Sequence, residues 1–97
     1  MSSEPLYLVA VFKPRMGVAD VVVERLRLMR DATREEPGDV YMKLVGGAGS
    51  ETWCMFEKFV SREAWDVHMT QPRVTDGNVF LADNLCEPTQ LRFCTEK

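Results

Sequence analysis

The stretch Leu6-Tyr7-Leu8-Val9-Ala10-Val11-Phe12 is apolar on both of its faces. Successive side chains of a strand point to opposite sides of a sheet, so Leu6, Leu8, Ala10 and Phe12 point one way and Tyr7, Val9 and Val11 the other. An antiparallel sheet with helices on one face and water on the other alternates apolar with polar residues. This strand does not. A second run, residues 52–59, sets Trp53, Met55 and Phe59 against Cys54 and Phe56 and is also apolar on both sides. Helices roof one face; the other must meet something apolar, and a second copy of the same sheet is the expected occupant. The sequence therefore predicts a homodimer with sheets face to face.

The remaining elements follow from periodicity and punctuation. Residues 18–35 show helical spacing, with Val18, Val22, Leu26, Met29 and Thr33 on one face and Pro37-Gly38 ending the run. Residues 40–45 read as a strand, 46–50 as a flexible glycine-rich turn, and 52–59 as its hairpin partner. Ser61 is placed to cap a helix that carries Ala64, Trp65, His68 and Met69 and stops at Pro72. Residues 74–85 read as irregular, with one short helix around 79–84, and residues 90–95 as the last strand. The order β-α-β, β-α-β makes an α+β fold of the ferredoxin-like kind, βαββαβ with an antiparallel sheet, in one domain spanning residues 1–97.

Charge and cysteine usage narrow the function. Twelve basic and fifteen acidic residues give a net charge of −3, and Arg25, Arg27, Arg30 and Arg34 alternate with Glu24, Asp31, Glu35 and Glu36. That pattern is a solvated helix face and not a phosphate track, so no nucleic-acid partner is expected. Three cysteines, Cys54, Cys86 and Cys94, form no C-x-x-C pair, and one histidine cannot build a structural zinc set. The opening residues lack a basic secretory n-region and no apolar run reaches the ~20 residues of a membrane span. A cytoplasmic protein with reduced thiols, without a membrane partner, is the expectation.

Two segments, Glu36-Pro37-Gly38 and Glu57-Lys58-Phe59-Val60-Ser61-Arg62-Glu63-Ala64-Trp65-Asp66-Val67-His68, together resemble the signature of antibiotic biosynthesis monooxygenase domains. That family has a Glu-Pro-Gly turn before its second strand. Its third strand ends in a Glu-x-aromatic pattern, and an Ala-x-x-x-His helix and a proline, here Pro72, follow. The resemblance implies a dimeric α+β barrel in which each subunit holds a pocket between helices and sheet. It also implies oxidation of phenols or hydroquinones by molecular oxygen, without metal, flavin or haem as cofactor. The polyketide-oxidising branch carries an asparagine and a tryptophan on the third strand and a tyrosine on the second helix, where this chain has Met55, Phe59 and Trp65. The asparagine of the haem-degrading branch is absent from residues 6–12.

His68, the only histidine, is the candidate base, because a neutral imidazole can take a phenolic proton near neutral pH; its alternative is a packed core histidine. Glu57 is the candidate orienter of His68, and its alternative is a strand-end partner for Arg62. Trp65, Phe59, Met55 and Phe80 are candidate walls for a flat ring, or plain core. Three functions remain open: a cofactor-independent monooxygenase, an oxygen-independent isomerase of a small carbonyl compound, and a dimeric ligand-binding domain without catalysis.

Overall fold

A computed structural model describes residues 4–46 and 51–97 of the 97-residue chain. Met1 to Ser3 and the 47–50 part of the predicted glycine turn lie outside the described residues. The elements run β1 (Leu6–Phe12), α1 (Ala19–Thr33), β2 (Asp39–Gly46), β3 (Trp53–Phe59), α2 (Arg62–His68), α3 (Pro72–Asn84) and β4 (Gln90–Cys94). The four strands form one antiparallel sheet in the order β2-β3-β1-β4, the ferredoxin-like arrangement.

Register separates the two faces of this sheet. Leu8 pairs with Glu57 and Ala10 with Met55 across β1 and β3, and Met42 pairs with Glu57 across β2 and β3. These residues share the inner face, which the helices cover, and the core gathers there: Leu6, Leu8, Ala10, Phe12, Met42, Met55 and Phe59 with Val22, Leu26 and Leu81 from the helices. On the outer face Val9 pairs with Phe56, Val11 with Cys54, and Val45 with Cys54. No described helix crosses that face. Phe56 and Val45 are 40% and 46% exposed there, so the two-sided apolarity of β1 and β3 is real and half of it is uncovered in the single chain.

The helices hold two surprises. Residues 72–84 form one regular helix of 13 residues instead of a loop with a short helical end. Pro72 sits in its first turn, where a missing N–H does no harm; α2 has already ended at His68, so the proline expected to stop one helix instead starts the next. At Gly77, in the middle of α3, a Cβ would lie 2.6 Å from Met29 Sδ, the flexible end of a side chain on α1. In α1, Val23 is buried while Val21 is exposed, and the charged face behaves as predicted, with Arg27 near Glu24 at 3.7 Å and Arg30 on Asp31 at 2.9 Å. Among the described residues no helix is long and apolar enough to cross a membrane.

Candidate functional site

Between the inner face of the sheet and the helices lies a cavity of about 300 Å³. Its walls come from every layer of the fold: Ala10 and Phe12 from β1, Met42 from β2, Met55 and Glu57 from β3, Leu26, Met29 and Thr33 from α1, Trp65 and His68 from α2, Leu81 from α3, and Leu91 from β4. Four of the chain's six methionines, Met29, Met42, Met55 and Met69, line it. For scale, an apolar cavity of ~150 Å³ holds a benzene molecule, so this space suits a two-ring compound.

His68 closes α2 and is 6% exposed. Ser61 caps that helix by accepting a hydrogen bond from the Ala64 N–H at 3.1 Å. The sequence pairs His68 with Glu57; the structure pairs it with Glu36 instead. His68 Nδ1 lies 3.1 and 3.0 Å from the two carboxylate oxygens of Glu36, and Arg73 Nη2 donates to the same carboxylate. Glu57 makes no hydrogen bond to His68. An ionised carboxylate only accepts, so in the neutral form of the ring Nδ1 carries the proton and Nε2 keeps its lone pair. No described residue bonds Nε2, and the ring forms part of the cavity wall.

The turn that delivers Glu36 is fixed by close packing. A Cβ at Gly38 would lie 2.5 Å from the Cβ of Ala64, so only glycine lets α2 seat against the turn. The Asp39 N–H bonds the Glu36 carbonyl at 3.1 Å and the Val60 N–H bonds the Gly38 carbonyl at 2.9 Å. Glu36 thus meets His68 and Gly38 meets Ala64: two residues of the turn against two residues one helical turn apart. The sequence puts Glu36 both in the charge-mixed helix face and in the Glu36-Pro37-Gly38 turn motif, and does not single out Arg73. The combination of Glu-x-Gly with Ala-x-x-x-His was the signal that could have joined them.

Glu57 stands apart from this pair. It is buried on the inner face between Met55 and Phe59, with Leu8 and Met42 as cross-strand neighbours. Burial, with a smaller contribution from the Asp39 charge, pushes its carboxyl up to about 8. Asp39 itself is raised, first by burial and then by Glu36. At neutral pH Glu57 is therefore an acid with a proton to donate, not a carboxylate able to orient an imidazolium.

The predicted walls divide. Met55 and Trp65 line the cavity, and Trp65 meets Phe93 edge-on with ring centroids 5.1 Å apart. Phe59 is fully buried behind the wall, its ring 5.1 Å from that of His68, and supports the imidazole without lining the cavity. Phe80 is not on the cavity either. It faces α1, where the Arg25 guanidinium lies 4.4 Å from its ring centre, because the full-length α3 turns position 80 away from Leu81 and the cavity.

The profile of the antibiotic biosynthesis monooxygenase family matches residues 5–78. The chain belongs to that family. The match takes in Glu36, Glu57 and His68. Among solved structures, Rv0793 from Mycobacterium tuberculosis is 25% identical with a TM-score of 0.91, over 96% of this chain and 95% of that one. PA3566 from Pseudomonas aeruginosa is 18% identical with a TM-score of 0.90, over 100% and 98% of the two chains. A solved antibiotic biosynthesis monooxygenase is 17% identical with a TM-score of 0.88, over 95% and 98%. The last two likenesses speak for the fold alone. No curated protein matches the chain in sequence.

Proposed function

We propose that the protein is a cofactor-independent monooxygenase that oxidises a small aromatic phenol or quinol with molecular oxygen, working as a homodimer. The observation that carries this reading is the state of His68: Nδ1 held by Glu36, Nε2 unpaired on the wall of an apolar cavity. A base so placed takes the hydroxyl proton of a bound phenol and leaves an electron-rich anion. The anion gives one electron to oxygen, and the two radicals combine into a hydroperoxide at a ring carbon bearing hydrogen. Loss of water leaves a carbonyl there. For a phenol the balance is substrate plus O₂ giving quinone plus water, one oxygen atom kept and one reduced. The work left to the protein is deprotonation, positioning and exclusion of water.

Arg73 and Glu36 are positioning residues for His68. Met55 and Trp65 are walls for the ring, with Phe59 behind the imidazole. The second subunit would cover Val9, Val11, Val45, Cys54 and Phe56 of the outer sheet face. Oxygen uptake with a panel of hydroquinones and naphthols tests the reading. Turnover should stop when oxygen is removed; turnover that continues without oxygen would mark an isomerase instead. His68→Ala should slow the reaction by ~10²–10⁴-fold, the usual worth of a general base, and an unchanged rate would remove His68 from that role.

A further inference from the structure

The inner sheet face contains one group that the scheme above leaves idle. Glu57 lies near the middle of β3, and its neighbours on the same face are Leu8, Met42, Met55 and Phe59, all buried and offering no acceptor stronger than a thioether sulfur. No described residue bonds its carboxyl, yet the residue is only 8% exposed and what surface it has lines the cavity. A carboxyl in such a place adds nothing to packing that leucine would not add better, and leaving it unpaired is unfavourable. The cavity is where a partner for its proton can sit.

We propose that Glu57 is a specificity-determining residue: its carboxylic O–H donates a hydrogen bond to an acceptor oxygen of the bound ring, so the preferred ligands are two-ring compounds bearing a ketone or quinone-type carbonyl. The assignment rests on the reading of the cavity as an aromatic-ligand site. It divides the polar work between two points on the wall, with His68 Nε2 receiving a hydroxyl proton and Glu57 holding a carbonyl. Burial keeps Glu57 in the donating form at neutral pH, as a protonated carboxylic acid does in other apolar sites. The titratable groups that face it are Asp39 from β2 and His68 from α2; the helices α1 and α3 and the strands β1 and β4 bring only uncharged side chains to the cavity.

The test uses 1-tetralone and tetralin, the same fused ring with and without a carbonyl, and neither reacts with the free thiols. Dissociation constants are measured by calorimetry, so turnover is not read. The quantity of interest is the tetralin-to-tetralone ratio of dissociation constants. In Glu57→Leu the ratio should fall about fivefold, the worth of one hydrogen bond. In Glu57→Gln, which stays neutral and keeps a donor, it should hold. Raising pH from about 6 to about 9 should lower the ratio in the natural protein as the acid ionises, and leave it flat in Glu57→Gln. A ratio indifferent to Glu57→Leu, or equally pH-dependent in Glu57→Gln, overturns the proposal. Should Glu57→Leu fail to fold, the two pH series decide it alone. A protein that shows these ratios but takes up no oxygen keeps this role for Glu57 and loses the monooxygenase; one that binds neither ring overturns both.

Discussion

Glu36 is the acceptor for two cationic or proton-bearing groups, His68 and Arg73, and its replacement separates positioning from binding. In Glu36→Gln the amide can turn its NH₂ toward Nδ1, which puts the imidazole proton on Nε2 and blocks the base. We expect kcat to fall ~10²-fold with KM little changed, since a misprotonated orienting group costs a base of this kind up to ~10⁴. Steady-state kinetics at saturating oxygen check it. Glu57 offers a stability measurement instead. Its folded-state value of about 8 lies above the 4.5 of the free side chain, so between those values the folded chain binds the extra proton. The contribution of Glu57 is therefore complete below about pH 4.5 and is lost as pH rises through 8. Glu57→Gln removes that loss. Its urea midpoint should exceed the natural protein's at pH 9, by a free energy on the order of a few kcal/mol, and the gap should close toward pH 5. How far these residues were legible differs. The two motifs bring the family resemblance and point to His68, whereas the Glu36–His68 pairing joins residues 32 positions apart and has no local trace in helix or strand periodicity.

Among the elements, α2 is the most exposed to single changes. At seven residues it is too short to persist without its cap and its packing. Ser61→Ala removes the Oγ acceptor of the Ala64 N–H and should cost about 1 kcal/mol in denaturant unfolding. Gly38→Ala should cost more, about 1–3 kcal/mol, because the new methyl meets Ala64 and the turn must move. Strand bounds came within a residue or so of the sequence reading, because β1 and β3 alternate two recognisable faces. The helix α3 did not. Its Pro72 was read as a terminator, and Gly77, Asn78 and Asn84 are poor helix formers. What holds the segment helical is burial of Val74 and Leu81 and the tight approach of Met29 to Gly77, contacts that no window of the sequence displays.

At the scale of the whole molecule, the uncovered outer face decides behaviour in solution. Lys58 and Lys43 lie over Tyr7 and Tyr41 on that side, 5.0 and 5.5 Å from the ring centres, so the apolar patch formed by Val9, Val11, Cys54 and Phe56 has polar neighbours around it. That is the layout of an interface. Sedimentation velocity at micromolar concentration should show a dimer. Phe56→Lys places a charge in the apolar patch and, if the patch pairs two copies, should shift the sedimenting species to the monomer. A monomeric natural protein would remove the barrel architecture.

The thioethers around the cavity have a consequence for how ligands are sorted. An unbranched side chain with three rotatable bonds re-packs at little expense, and Met29, Met42, Met55 and Met69 all line the space. The outline of the hollow is thus set partly by whichever molecule enters. Discrimination by shape will be lenient, congeners differing by a methyl group or a ring fusion will bind with similar strength, and the fixed polar points will do most of the choosing.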